Sequence, residues 1–320
     1  MSPVCLPSEV AETIRAVFGP AGERWIEELP AIVDALCVRW DLVARGAPFS
    51  GGTHAYVAPV RRSGGSEAVL KVPLVDEENR AEASALYVYG GDGAVRLYAY
   101  DPGTGAMLIE RACGPELLRQ PGFPSLEGRA ENAGLVELGC SLYRRLRRPP
   151  GALPAGFPAL PAAVSILDQV VAGLAAPGVG AVVDASLRAR VRQARALLRS
   201  PAGPGLVVNR DTHLGNILAA RREPWLLIDP KPYLGEAAFD AGFLVMIQVQ
   251  SDPAPAHAAA VVERTAAALG VDPARARAWA LVRAVEEIVW AVEDSDAELL
   301  PLHTAVASAL GTPAPATRAR

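Results

Sequence analysis

The sequence predicts an α+β protein of two lobes: a β-rich N-lobe over residues 1–111, a mostly α-helical C-lobe over 112–310, and a fraying tail at 311–320. Three observations predict it. Short apolar runs separated by Gly/Ser-rich turns fill much of the first third, and long helical periodicities take over after Gly114. The helical part is interrupted once, between Leu206 and Asp229, by short strand-like runs around a polar loop.

The opening is helical: Ser8 is placed to cap a helix reaching Phe18, and Glu23 to Arg39 carries apolar residues at helical spacing around Pro30. The runs Trp40–Ala44, Ala55–Val60 and Ala68–Val72, divided by the turns Pro48–Thr53 and Ser63–Ser66, predict an antiparallel meander. Asp76 to Tyr89 predicts a helix capped by Asp76, followed by strands Ala94–Tyr100 and Ala106–Glu110 across an Asp-Pro-Gly turn. Helices are then expected at Leu126–Arg147, Val164–Leu174 and Ser186–Leu198. Strands are expected at Leu206–Val208, Ile217–Ala219 and Trp225–Asp229, and helices again at Ala256–Leu269 and Pro273–Glu293.

Composition narrows the function. A chain of 320 residues that is 51% apolar can bury a core without staples. Cys5, Cys37, Cys113 and Cys140 are scattered without metal-ligand spacing, which excludes a zinc ribbon and fits a reducing cytoplasm. The longest apolar run, Val170–Val183, is broken by Pro177 and falls short of the roughly 20 residues of a membrane span, so no membrane partner is expected. A net charge of −4 gives no footprint for nucleic acid, and Arg144, Arg145, Arg147 and Arg148 are expected as the solvated end of a helix.

Of the 31 basic residues, only Lys71 and Lys231 are lysines. A chain that uses arginine for generic positive charge keeps lysine where a compact charge on a flexible stem is required. Lys71 ends the run Ala68-Val-Leu-Lys, and Glu82 follows eleven residues on in the next helix. A strand lysine held by a helix glutamate can clamp nucleotide phosphates. Ser50, Gly51, Gly52 and Thr53 form a Gly-rich turn whose N–H groups could cover those phosphates. It is not a P-loop, because Gly52-Thr53 stands where Lys-Ser/Thr is required.

Rare residues concentrate in Asn209-Arg-Asp-Thr-His-Leu-Gly-Asn216, which holds two of the four asparagines. Asp211 and Asn216 are five apart, and Asp229 closes the next apolar run. Phosphoryl transfer needs such a set: a carboxylate to accept the substrate proton, an amide oxygen for Mg²⁺, and a second carboxylate on the metal. His213 is read as ordering the loop. Lys231 is read as steadying phosphate or pairing with Asp240 or Glu236.

Together these segments resemble the aminoglycoside phosphotransferase family of the protein-kinase-like fold, in its streptomycin 6-phosphotransferase and hydroxyurea phosphotransferase branch, from about Trp25 to Trp290. The resemblance implies Asp211 as catalytic base, Asn216 and Asp229 as Mg²⁺ ligands, ATP or GTP as donor, and Glu110, Arg111 and Ala112 as a hinge whose backbone reads the base. The family string is His-Gly-Asp-Leu-His-Pro-Gly-Asn, so Asn209 and Arg210 replace His-Gly, and Thr212 and Leu214 replace Leu and Pro. The implied acceptor is a hydroxylated small molecule, an aminoglycoside antibiotic such as streptomycin, with a nucleoside antibiotic or another hydroxylated metabolite as alternatives. Asn209, Arg210, His213, Lys231, Glu286, Glu287 and Trp290 are its candidate contacts, although a solvated helix face explains the acids equally well. A metallohydrolase on Asp211, His213 and Asp229, and a nucleotide-binding module without catalysis, are the competing readings.

Overall fold

The computed structural model describes residues 4–50, 54–114 and 133–312; the expected Leu126 helix start and most of the expected tail lie outside them. Helix α1 (Ser8–Arg39) changes direction at Gly19, whose φ of 52° and ψ of −130° divide it into the two segments the spacing predicts. Pro20 follows as the first residue of the second segment, where its missing N–H costs nothing. Gly22 is required by close approach, since a Cβ there would lie 2.6 Å from the Ile14 carbonyl oxygen. Pro7 rather than Ser8 occupies the cap position, and its side chain has no hydrogen bond to offer.

The described residues fall into two compact units. The first holds a five-stranded antiparallel sheet in the order β1-β2-β3-β5-β4, formed by β1 (Leu42–Arg45), β2 (Ala55–Arg62), β3 (Glu67–Pro73), β4 (Leu97–Asp101) and β5 (Ala106–Glu110). Leu29, Val33, Leu36 and Cys37 of α1 close its core against Tyr56, Leu70 and Leu108. Helix α2 (Glu82–Tyr89) is shorter than expected, because Asp76 closes a turn instead of capping a helix. Its Oδ1 accepts the N–H groups of Glu78 and Asn79, while Asn79 binds back to Asp76 and Leu74. Gly90 ends α2 in the left-handed region.

Two distant segments complete this unit. In Ala152–Ala159, Phe157 packs on Tyr87 and Tyr100, and Ser84 Oγ donates to the Pro158 carbonyl. In Ala219–Ile228, Leu227 exchanges backbone hydrogen bonds with Gly93 and Val95.

The second unit is mostly helical: α3 (Ala133–Leu146), α4 (Val164–Gly173), α5 (Val179–Val182), α6 (Ala185–Leu198), α7 (Ala241–Val249), α8 (Pro255–Leu269), α9 (Pro273–Glu293) and α10 (Leu300–Gly311). Strand β6 (Leu206–Asn209) precedes the polar loop and β7 (Ile217–Ala219) follows it; the chain then gives β8 (Trp225–Leu227) to the first unit and returns with β9 (Pro232–Gly235). β6 and β9 pair antiparallel, with Asn209 opposite Pro232. Helix α9 is buried along most of its length and packs on α4, α6, α7, α8 and α10. The run Val170–Val183 spans the end of α4, a connector and α5, and buries Val170, Leu174, Val179 and Val183. Among the described residues no helix is long and apolar enough to cross a membrane.

One expectation fails in a useful way. Of the four arginines expected at a solvated helix end, Arg147 turns inward, binding Asp240 at 2.6 Å and the Leu269 carbonyl at 2.8 Å.

Candidate active site

In the first unit, Lys71 sits on β3 opposite Val57 of β2 and Met107 of β5, so strands on both sides hold its backbone. Its Nζ donates to both carboxylate oxygens of Glu82, each at 2.8 Å. Both residues are buried. Glu82 is the first residue of α2, where the helix dipole favours an anion. Removing either partner leaves an uncompensated buried charge, worth about 3–5 kcal/mol.

Ser50 stands at a bend, and Gly51, Gly52 and Thr53 of the expected phosphate-covering turn lie outside the described residues. The turn's far end is fixed: His54 Nδ1 lies 3.2 Å from Asp76 and its ring meets the edge of Phe18. Burial works to raise the Asp76 carboxyl, but His54 and the Asn79 and Glu78 N–H groups outweigh it and hold it below its usual range.

At the expected hinge, Glu110 gives its own N–H to the Arg96 carbonyl at 2.8 Å. Its carboxylate takes Arg222 at 2.8 Å and the Arg96 N–H at 3.1 Å. Arg222 also donates to the Ala94 carbonyl. Burial pushes the Glu110 carboxyl up, yet Arg222 and Arg96 more than offset this and hold it low. Arg111 pairs with Glu67 at 3.0 Å. A cavity of about 840 Å³ in this unit, lined by Trp25, Tyr100, Met107 and Phe157 among others, contains none of the candidate residues.

In the second unit, β6 delivers the polar loop, and the turn Leu214–Asn216 folds it back. Asp211 Oδ1 accepts the His213 N–H at 3.1 Å, and Oδ2 accepts Asn216 Nδ2 at 3.1 Å. His213 Nδ1 accepts the Gly215 N–H at 3.0 Å, the loop-ordering role expected of it. Gly139 of α3 lets that helix approach closely, since a Cβ there would lie 2.3 Å from Leu214 Cδ2. Asn209 is buried and works inside the fold: its N–H donates to Asp240 at 2.7 Å and its Oδ1 accepts the Lys231 N–H at 2.8 Å. Thr212 Oγ1 donates to the Asp240 carbonyl.

Asp240 is thus the post on which the loop hangs. Its complete burial pushes the carboxyl up, against the opposing pull of Arg147. Lys231 lies 3.5 Å from Asp229. The partners expected for it are engaged elsewhere, Asp240 by Arg147 and Glu236 by Arg275 and the Trp279 indole. Asp229 has a φ of 48°, a left-handed conformation that aspartate tolerates better than most residues. Among the described residues no three His, Cys, Asp or Glu side chains converge as a metal cage, so Asp211, His213 and Asp229 do not form a hydrolase-type centre.

Beside Arg210, helix α9 does not present a solvated face at Glu286. This residue is buried and pairs with Arg210 at 2.8 Å, whereas Glu293 and Asp294 are exposed. Arg283 pairs with both Glu286 and Glu287.

The first unit thus holds a strand lysine fixed by a helix glutamate, and the second holds an Asp-to-Asn loop with both carboxylate oxygens hydrogen-bonded. The family model described as aminoglycoside/hydroxyurea antibiotic resistance kinase matches residues 39–295. The chain belongs to that family. This kinase is 35% identical to the streptomycin 6-kinase of Streptomyces glaucescens over 95% of its own length and 96% of the relative's. It is equally 35% identical to the hydroxyurea phosphotransferase of Kitasatospora aureofaciens, covering 95% and 85%. Solved structures share the fold. A choline kinase from Streptococcus pneumoniae aligns with a TM-score of 0.55 at 10% identity over 89% of the kinase and 99% of that chain. An aminoglycoside phosphotransferase in complex with ADP and hygromycin B aligns with a TM-score of 0.54 at 16% identity over 88% and 98%. The α+β, protein-kinase-like fold expected from the sequence is therefore the one observed, and the enzyme draws its phosphate from a nucleotide.

The sequence alone does not single out Arg222 and Arg283, and it assigns Asp240 and Arg147 other partners, Lys231 and solvent. Only Arg283 left a local signal, its i,i+3 and i,i+4 spacing to Glu286 and Glu287.

Proposed function

We propose that this kinase moves the γ-phosphate of ATP or GTP to a hydroxyl of a small-molecule antibiotic, with Asp211 as the base. The observation that carries the reading is the double anchoring of Asp211 by His213 and Asn216, which fixes its carboxylate as a pre-oriented proton acceptor. The acceptor oxygen attacks the γ-phosphorus and its proton passes to Asp211. The bond from that phosphorus to the bridging oxygen breaks, and the nucleoside diphosphate leaves.

Lys71, held straight by Glu82, neutralises the non-transferring phosphates. Arg111 and Ala112 supply the backbone that reads the base, since the Glu110 N–H is already committed to Arg96. Asn216 spends its amide nitrogen on Asp211, which leaves its amide oxygen for a cation, and Asp229 adds a carboxylate. Such hard oxygen donors fit Mg²⁺, which when bound would offset the negative charge of the phosphates.

Streptomycin and hydroxyurea, the acceptors named for the relatives, are the first to test. Transfer of labelled phosphate from ATP and from GTP should appear in product and vanish in Asp211→Asn. Native rates in that variant would remove Asp211 from the mechanism.

A further inference from the structure

The two named acceptors are chemically unlike, one a polycation and the other a compact uncharged molecule, and identity to the two relatives is equal. The second unit bears on the choice between them. Glu286 Oε1 meets Arg210 at 2.8 Å and its Oε2 meets Arg283 at 3.1 Å, while Arg283 reaches on to Glu287. Trp290 carries both guanidinium groups, with Arg210 at 4.9 Å and Arg283 at 4.8 Å from the ring centroid. Arg283 lies 5.4 Å from the Phe243 ring as well.

Carboxylates and aromatic faces are the groups that hold an ammonium or guanidinium of a ligand. Here two carboxylates and an indole already hold two guanidinium groups of the chain itself, and the four charges cancel. The packing is tight: the side chains of Arg210, Glu286, Arg283 and Glu287 are 11%, 8%, 13% and 19% exposed. The space left beside Arg210, Phe239, Phe243 and Glu286 is about 10 Å³, room for roughly one water. Arg210 is the residue immediately before Asp211, and the Phe243 ring beneath Arg283 meets the His213 ring at 6.2 Å, so the cluster is tied to the loop that carries the base.

Resting on the phosphotransferase reading above, we infer that Arg210 and Arg283 are specificity determinants that close this wall of the acceptor site to cations, so that the acceptor it favours is compact and uncharged at the reacting end. A polycation would have to displace a guanidinium from Glu286 and Trp290, at the cost of those partly buried contacts. A compact neutral hydroxyl compound disturbs none of these pairs.

The test compares kcat/KM for hydroxyurea and for streptomycin in the wild type, Arg210→Gln and the charge-neutral double variant Arg210→Gln/Glu286→Gln. The wild type should favour hydroxyurea at least tenfold. Arg210→Gln frees one oxygen of Glu286, leaves the cluster with one net negative charge and should move the ratio at least tenfold toward streptomycin, chiefly through KM. The double variant, with no carboxylate left to hold a cation at position 286, should keep the wild-type preference and also serves if the single variant folds poorly. A wild type that favours streptomycin, or a ratio unmoved by Arg210→Gln, overturns the inference while leaving the phosphotransferase reading intact. Absence of transfer to either acceptor, with nucleotide bound, overturns both.

Discussion

Lys71 Nζ is equidistant from the two oxygens of Glu82, 2.8 Å from each, in a pair that water barely reaches. A bidentate, desolvated pair of this kind fixes one lysine rotamer at a cost in solvation that a purely structural pair would not need. Its predicted consequences for stability and catalysis therefore separate. Lys71→Ala should lower unfolding free energy by about 3–5 kcal/mol, because the buried Glu82 carboxylate loses the bidentate ammonium beside it. Lys71→Met/Glu82→Gln should recover most of that stability and still lose about 100-fold or more in kcat/KM. Urea denaturation beside a transfer assay reads the two effects independently.

The Asp240–Arg147 pair is the counterpart in the second unit, and it predicts a pH signature. Arg147→Ala should cost about 3–5 kcal/mol at neutral pH, since Asp240 is fully buried and would be unpaired. The folded-state pKa of Asp240 is already raised, and loss of Arg147 raises it further. A carboxyl with a raised folded pKa is better tolerated protonated, so its destabilising effect grows as pH rises from the unfolded toward the folded value. The stability gap between wild type and Arg147→Ala should therefore narrow as pH is lowered from neutrality. A gap of constant size would mean that Asp240 stays ionised or that Arg147 acts through the Leu269 carbonyl alone.

These two pairs mark the limit of what was legible in the sequence. Lys71, Glu82 and the Asp211–Asn216 interval could be read because their chemistry dictates residue type and spacing along a strand, a helix and one loop. Asp240 and Arg147 are 93 positions apart, and nothing local tells an aspartate which arginine it will meet. The residues Ala219–Ile228 join the first unit for the same reason, through backbone bonds to Gly93 and Val95. Helix α7 escaped notice because it is buried on nearly every side and so carries no amphipathic period. Strand β9 is four residues long and begins with proline, which reads as a turn.

Glu110 gives the opposite pH dependence. Its folded pKa is depressed, so the stability it contributes is present above the unfolded carboxylate value and is lost as pH falls through the folded one. Glu110→Gln should cost about 1–2 kcal/mol at pH 7 through weaker hydrogen bonds to Arg222. The difference from wild type should fade only below about pH 4.5, the ordinary glutamate value. Thermal melts of both proteins between pH 7 and pH 3.5 would show it, and a gap that closed above pH 5 would contradict the direction of the shift.

Asp229 combines two properties that substitution can separate, a carboxylate proposed to hold Mg²⁺ and a backbone at φ 48°. In that region a Cβ crowds the following carbonyl, at a cost of about 1–2 kcal/mol for most residues and nothing for glycine, with asparagine and aspartate eased by local hydrogen bonding. Asp229→Asn should keep near wild-type stability, Asp229→Gly should match or exceed it, and Asp229→Ala should fall about 1 kcal/mol below Asp229→Gly. Catalysis should follow a different order, because none of the three retains the charge: all should lose activity together, by about 100-fold or more. Stability that varies while activity is uniformly lost would assign the backbone conformation to folding and the carboxylate to phosphate transfer. Activity that tracked stability across the three variants would instead make Asp229 a residue of the turn alone, and the metal would need another ligand.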